Sequence, residues 1–300
     1  MSRGTVFSLI AVLAALLSGS SGRAQGTTGP KIRDSNVGYI DPAIPGTFVR
    51  FQVDSAFNNV SPTRSEFFWS PGPPDGRGPS IPERSVDYVD QTTHFEYCLL
   101  PTTSVFAAVP IRFLNPELNS NTTGLADINL GIKQAIVLQE NFVATLQLRT
   151  YVPSGDSDRG IGTGHVSLEP AILLYKPLSA GWTAEAELRD WVPVGGGDFT
   201  GNVIRYGLGV HYDDLQVGSF KFVPIAEFVG WTSLGGKVVM PTDAGPFNVR
   251  SATGDTIVNV KTGVRWKFSE SADLFAGYGK PLTDQSWYDE VVRIELRLLF

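Results

Sequence analysis

A chain of 300 residues is long enough for one large β-domain or two ordinary ones. Charged residues make up 18% and hydrophobic residues 42%, with a formal net charge of −6, a balance that argues against a nucleic-acid partner. The single Cys98 excludes an internal disulfide and a cysteine metal cluster, and the three histidines are too far apart for metal-ligand spacing, so no cofactor is expected.

Residues 1–24 read as a secretory signal peptide. Arg3 supplies the positive start, Thr5–Leu17 the apolar run, and Gly22-Arg23-Ala24 the small residues before a mature start at Gln25. Residues 25–46 carry several Gly and Pro residues and no period, so they read as a poorly ordered periplasmic lead-in.

From residue 47 to 300 the pattern is strand, turn, strand, loop. Val49, Phe51 and Val53 alternate with Arg50, Gln52 and Asp54, a period of two with one apolar and one polar face. Asn58–Asp90 follows as a Pro/Gly-rich loop. Strands are expected over 91–100, 104–114, 124–138, 142–152, 165–176, 182–193, 202–213, 219–232, 255–268, 273–280 and 290–300. Their connections alternate short and long. That asymmetry, twelve strands and a length near ten residues predict a transmembrane antiparallel up-and-down β-barrel with short periplasmic turns and long external loops. No mature segment is long and apolar enough for a spanning helix. Pro110, Pro170 and Pro224 fall inside strands and predict bulges or bends. Trp182, Tyr206, Tyr212, Trp231, Trp266 and Tyr278 suit aromatic girdles at the lipid boundary.

The last strand is the most explicit. Val292, Ile294, Leu296, Leu298 and Phe300 alternate with Arg293, Glu295 and Arg297. The ending resembles the terminal signal of bacterial outer-membrane proteins, which implies the barrel-assembly machinery as a partner and Phe300 as its signal. Localisation in the outer membrane of a Gram-negative cell follows, with membrane lipid around the barrel. Deleting Phe300 should lower the amount of folded barrel and leave each folded molecule unchanged, as read by heat-modifiable gel mobility.

Side chains on the polar parity are candidates to line the lumen: Arg149, Glu169, Glu185, Glu187, Arg189, Arg205, Glu227, Lys261, Arg265, Arg293, Glu295 and Arg297. Cations outnumber anions on this parity although the whole chain is net negative, which predicts a weak anion preference. His165-x-Ser167 matches the spacing of the pair used by the outer-membrane phospholipase, also a twelve-stranded barrel; by parity it faces the lumen instead of lipid.

One block is more specific. Gly124-Leu125-Ala126-Asp127-Ile128-Asn129-Leu130-Gly131-Ile132-Lys133 opens a strand, and Pro153-Ser154-Gly155-Asp156 leads to Gly160-Ile161-Gly162-Thr163-Gly164. This block resembles the outer-membrane transporter family labelled "MetA-pathway of phenol degradation". The resemblance spans residues 95–300, and the first hundred residues have no counterpart in it. It implies a barrel and passage of small, including aromatic or hydrophobic, molecules. The alternatives are a structural barrel with a plugged lumen, and a barrel lipase using His165 and Ser167.

Overall fold

The computed structural model describes residues 34–59, 78–79, 81, 83–218, 220–240 and 248–300. The expected signal peptide and most of the first long loop lie outside these residues.

Twelve strands close into one antiparallel barrel. They are β1 (Phe48–Asn59), β2 (Val86–Leu100), β3 (Thr103–Pro116), β4 (Ile128–Gln139), β5 (Phe142–Val152) and β6 (Val166–Pro177), followed by β7 (Trp182–Val194), β8 (Val203–Tyr212), β9 (Phe220–Ser233), β10 (Thr256–Ser269), β11 (Ala272–Pro281) and β12 (Glu290–Leu299). Each strand pairs with the next in sequence, and β12 returns to pair with β1 from Phe48↔Leu299 to Phe57↔Glu290, so no edge is left open. Among the described residues, helix is confined to one 3-10 turn at Ser157–Arg159. Short turns follow the even strands and long loops the odd ones, in the phase the sequence predicts.

The alternation explains the two faces. Leu146, Leu148, Leu188, Leu208, Phe228, Val264 and Val292 are exposed on the outside, where hydrocarbon can cover them. Their neighbours Gln147, Arg149, Glu187, Arg189, Gly207, Gly209, Glu227, Arg265 and Arg293 point inward. Trp182 packs on Tyr212 at 5.2 Å, and Trp266 lies among Phe220, Phe222 and Phe268, both groups at the turn side of the barrel. Trp231 departs from the girdle reading. It shares the parity of Glu227, is buried inside, and packs against Trp287 with ring centroids 4.2 Å apart at a tilt of 60°.

The second strand starts at Val86, five residues earlier than expected, because Val86 and Tyr88 face the interior and escape a pattern sought in polar parity. The prolines act through their missing N–H more than through bulges. Beyond Ala108, β3 leaves β4; the Pro110 carbonyl accepts the Ala126 N–H at 2.9 Å, and the short strand Thr122–Leu125 resumes the pairing. The β6–β7 ladder skips Glu169 and Pro170. On the β8 side, β9 is paired only from Ile225, one residue past Pro224. The register shifts fall elsewhere, near Ala56–Asn59, Cys98–Leu100, Ala135–Val137 and Lys267–Ser269.

Residues 34–46 correct the lead-in reading. They are inside the barrel, not beside it. Asp34 is held at the turn side by Arg297 and Lys267, Gly38–Ile40 reach mid-barrel, and Gly46 is back at the turn side next to Glu96 before β1 begins. Val37, Tyr39 and Ile40 join a core with Val223, Ile225 and Phe275; Ala43 and Ile44 pack with Val143, Leu173 and Tyr175. A search for period missed this segment because the barrel grips its backbone, and backbone groups leave no mark in a sequence.

Candidate functional site

The strands deliver charged side chains to the lumen, and the segment satisfies them there. Its amides meet carboxylates. Gly38, Tyr39 and Ile40 donate three successive N–H groups to Glu227 at 3.3, 2.9 and 3.1 Å. Asn36 donates to Glu185, Asp41 to Glu187 and Gly46 to Glu96. Its carbonyls meet cations. Arg297 donates to Ser35 O at 3.0 Å, Arg265 to Val37 O at 2.8 Å, Arg293 to Gly38 O at 2.6 Å, Arg205 to Tyr39 O at 2.8 Å and Lys133 to Pro42 O at 3.1 Å. Burial of ionised groups is tolerated only where such partners are supplied.

All twelve side chains on the polar parity sit in this interior. Arg149, Arg189, Glu169 and Glu187 surround Asp41, which Arg189 approaches to 3.1 Å; Arg205 reaches Glu187 at 3.0 Å. Arg265 and Arg297 share Asp273, Arg265 also lies 3.0 Å from Glu295, and Arg293 forks onto Asp54 at 2.6 and 2.7 Å. Glu185 accepts from the Ser35 hydroxyl at 2.6 Å and lies 3.1 Å from His211, whose other nitrogen is 2.9 Å from Asp213. Lys261 stands over the Tyr39 ring at 4.2 Å, with Trp231 and Tyr288 beyond, and Glu227 takes the amides described above. Asp34 and Asp41, which the strand parity omits, add anionic charge to a lumen that reads as cationic from the strands alone. Phe300 ends the chain one residue past β12 and is exposed.

At the long-loop side the interior opens as a cavity of about 260 Å³. Tyr39 lies in its floor. Its walls carry aromatic rings from Tyr88, Tyr151, Trp191, Trp231 and Tyr288, together with the Asp54–Arg293 and Asp90–Arg112 ion pairs. The mouth is narrowed by the loop after β5, and here the motifs that carried the family resemblance converge. Asp127 accepts from Gly155 N at 3.0 Å and from both the N–H and hydroxyl of Thr163 at 2.7 Å. Gly155 and Gly162 lie backbone to backbone, so a Cβ on Gly162 would stand 2.8 Å from Gly155 and 2.5 Å from the Asp127 carboxylate. The result tucks Ile161 into the barrel mouth, buried against the interior. Asp127→Ala should remove about 3 kcal/mol of this restraint, at roughly 1 kcal/mol for each hydrogen bond. Trypsin cleavage after the exposed Arg159 should then speed by roughly 10- to 100-fold with the barrel still resistant. Unchanged cleavage would show that the loop is held by other contacts.

His165 and Ser167 are buried in the same interior, with His165 Nδ1 3.0 Å from the Thr163 carbonyl. The phospholipids that a barrel lipase hydrolyses lie on the opposite face of the wall. The segment 34–46, the aromatic floor and the Asp127 clasp were not found from sequence. The alternation assigns inward or outward to each strand residue, but not which inward groups meet.

Comparison with solved structures agrees with this architecture. The chain is similar to an outer-membrane channel from Pseudomonas putida F1, at 11% identity with a TM-score of 0.55, covering 91% of this chain and all of that one. It is also similar to the NanC porin, at 9% identity with a TM-score of 0.50, covering 83% of this chain and all of that one. At such identity the likeness concerns the fold. No family model and no curated protein matches the sequence. The barrel is of the outer-membrane type. Its closed wall, apolar exterior and short-turn, long-loop asymmetry place it in the outer membrane, in contact with lipid.

Proposed function

We propose that this chain is an outer-membrane pore or transporter for small molecules, held closed by residues 34–46, and that it catalyses no reaction. The observation that supports this most is the cavity at the long-loop side, open to the exterior and floored by Tyr39 of the closing segment. A permeant collected there needs only the segment to move before it meets a lumen of ionised groups that hold water around it. The aromatic walls favour small aromatic or hydrophobic permeants, the class implied by the family that the Gly124–Lys133 block resembles. The second reading is a plugged barrel without transport, and the seated segment itself favours it.

Planar-bilayer recording of the folded protein separates the two. A pore gives discrete openings whose frequency rises when the segment is loosened. If neither the wild type nor a variant with a loosened segment conducts, the pore reading fails and the plugged barrel stands. Reversal potentials at low salt should show at most a weak anion preference, since Asp34 and Asp41 offset part of the cationic excess on the strands.

A further inference from the structure

We propose that the barrel interior is a receptor for a peptide bent into a loop, and that residues 34–46 are one replaceable occupant of it. The lumen recognises the occupant mainly by its backbone. Carboxylates take the amides and cations take the carbonyls, an arrangement that a chain bent as Gly38–Ile40 are bent can satisfy. The carboxylate of Glu227 alone collects three consecutive N–H groups. Side chains are constrained from position 37 to position 41, where Val37 and Ile40 are buried in the apolar core with Val223 and Ile225. At position 38 a Cβ would lie 2.2 Å from the ring of Phe275, so glycine is required. At position 39 an aromatic ring lies between the Lys261 ammonium at 4.2 Å and the Arg293 guanidinium at 4.3 Å, a cation–π arrangement on both sides. At position 41 an acid meets Arg149 and the fully buried Arg189. The partner that fits is therefore a peptide that bends at its centre and reads apolar, glycine, aromatic, apolar, acid. It would enter from the turn side, where both ends of the native segment lie.

The experiment uses the full-length chain carrying Gly38→Leu. The added side chain cannot coexist with Phe275, so the native segment is expelled while every strand residue is kept. A fluorescein-labelled synthetic peptide spanning Asp34–Gly46 is titrated onto the detergent-solubilised variant and followed by anisotropy, a readout that does not depend on whether the barrel conducts. We expect saturable binding to the variant. Binding to the wild type should be weaker by on the order of tenfold or more, because the tethered segment competes at an effective concentration in the millimolar range. A peptide that keeps Val37, Gly38, Tyr39, Ile40 and Asp41 and has alanine elsewhere should bind within about tenfold of the native one. A peptide with leucine at the glycine position should not bind. If Gly38→Leu does not give a heat-modifiable barrel, the Tyr39→Ala/Asp41→Ala chain loosens the segment by removing atoms and is tested in the same way. No binding of the native peptide to a folded variant, or equal binding of the leucine peptide, overturns the proposal.

Discussion

Replacing Glu227 by alanine should unseat the segment and raise the conductance of each folded barrel by two orders of magnitude or more. The reason is local. Three successive amides of Gly38, Tyr39 and Ile40 converge on one carboxylate in mid-lumen. Each donor left without an acceptor costs about 1–3 kcal/mol while the segment stays in place. The total is then at least about 3 kcal/mol, and a factor of ten in population needs only about 1.4 kcal/mol. Glu227→Gln keeps one carbonyl oxygen and should fall between the two. The measurement is single-channel recording at equal amounts of folded protein, checked by gel mobility. An alanine variant that stays as closed as the wild type would mean that the apolar packing of Val37 and Ile40 holds the segment without these bonds.

The second large effect concerns the barrel itself. Arg265 is 1% exposed, donates to Asp273 at 2.5 Å and lies 3.0 Å from Glu295. Arg265→Ala leaves two buried carboxylates with Arg297 and, at 3.6 Å from Glu295, Arg50 as their remaining partners. Removing one member of such a buried set costs about 3–5 kcal/mol. Arg265→Lys keeps the charge but loses the planar fork that also reaches Val37 O, so its loss should be smaller. The urea midpoint for unfolding in micelles reads both. A shift worth less than about 1 kcal/mol for the alanine variant would show that water replaces the guanidinium at little cost, as at an exposed ion pair.

These two predictions depend on features of unequal legibility. The strands, their count and the phase of turns and loops follow from a period of two and from the spacing of Gly, Pro and Asn. Neither Arg265 nor Glu227 needs more than parity to be placed inside. Their partners are another matter. The amides of Gly38–Ile40 carry no side-chain signature, and a stretch rich in Gly and Pro looks the same whether it wanders in the periplasm or is gripped in a lumen. Trp231 shows the opposite error. Its residue type suggested the lipid boundary, while its parity with Glu227 already placed it inside. Asp127 was visible within a motif, yet its role required knowing that Gly155 and Thr163 fold back onto it.

The position of the closing segment also bears on how the molecule is made. Asp34 meets Arg297 across 263 positions of sequence, and the same segment touches strands from β2 to β12. The contacts to Arg293 and Arg297 cannot form until the last strand is in place. Contacts of such range are the slow ones in folding, since the chain loses loop entropy before it gains them. Synthesis supplies the segment first, but its seat is complete only when β12 pairs with β1. Until then the arginines and carboxylates of the lumen remain hydrated. Their transfer from water to each other coincides with closure, so wall and contents form in one cooperative step.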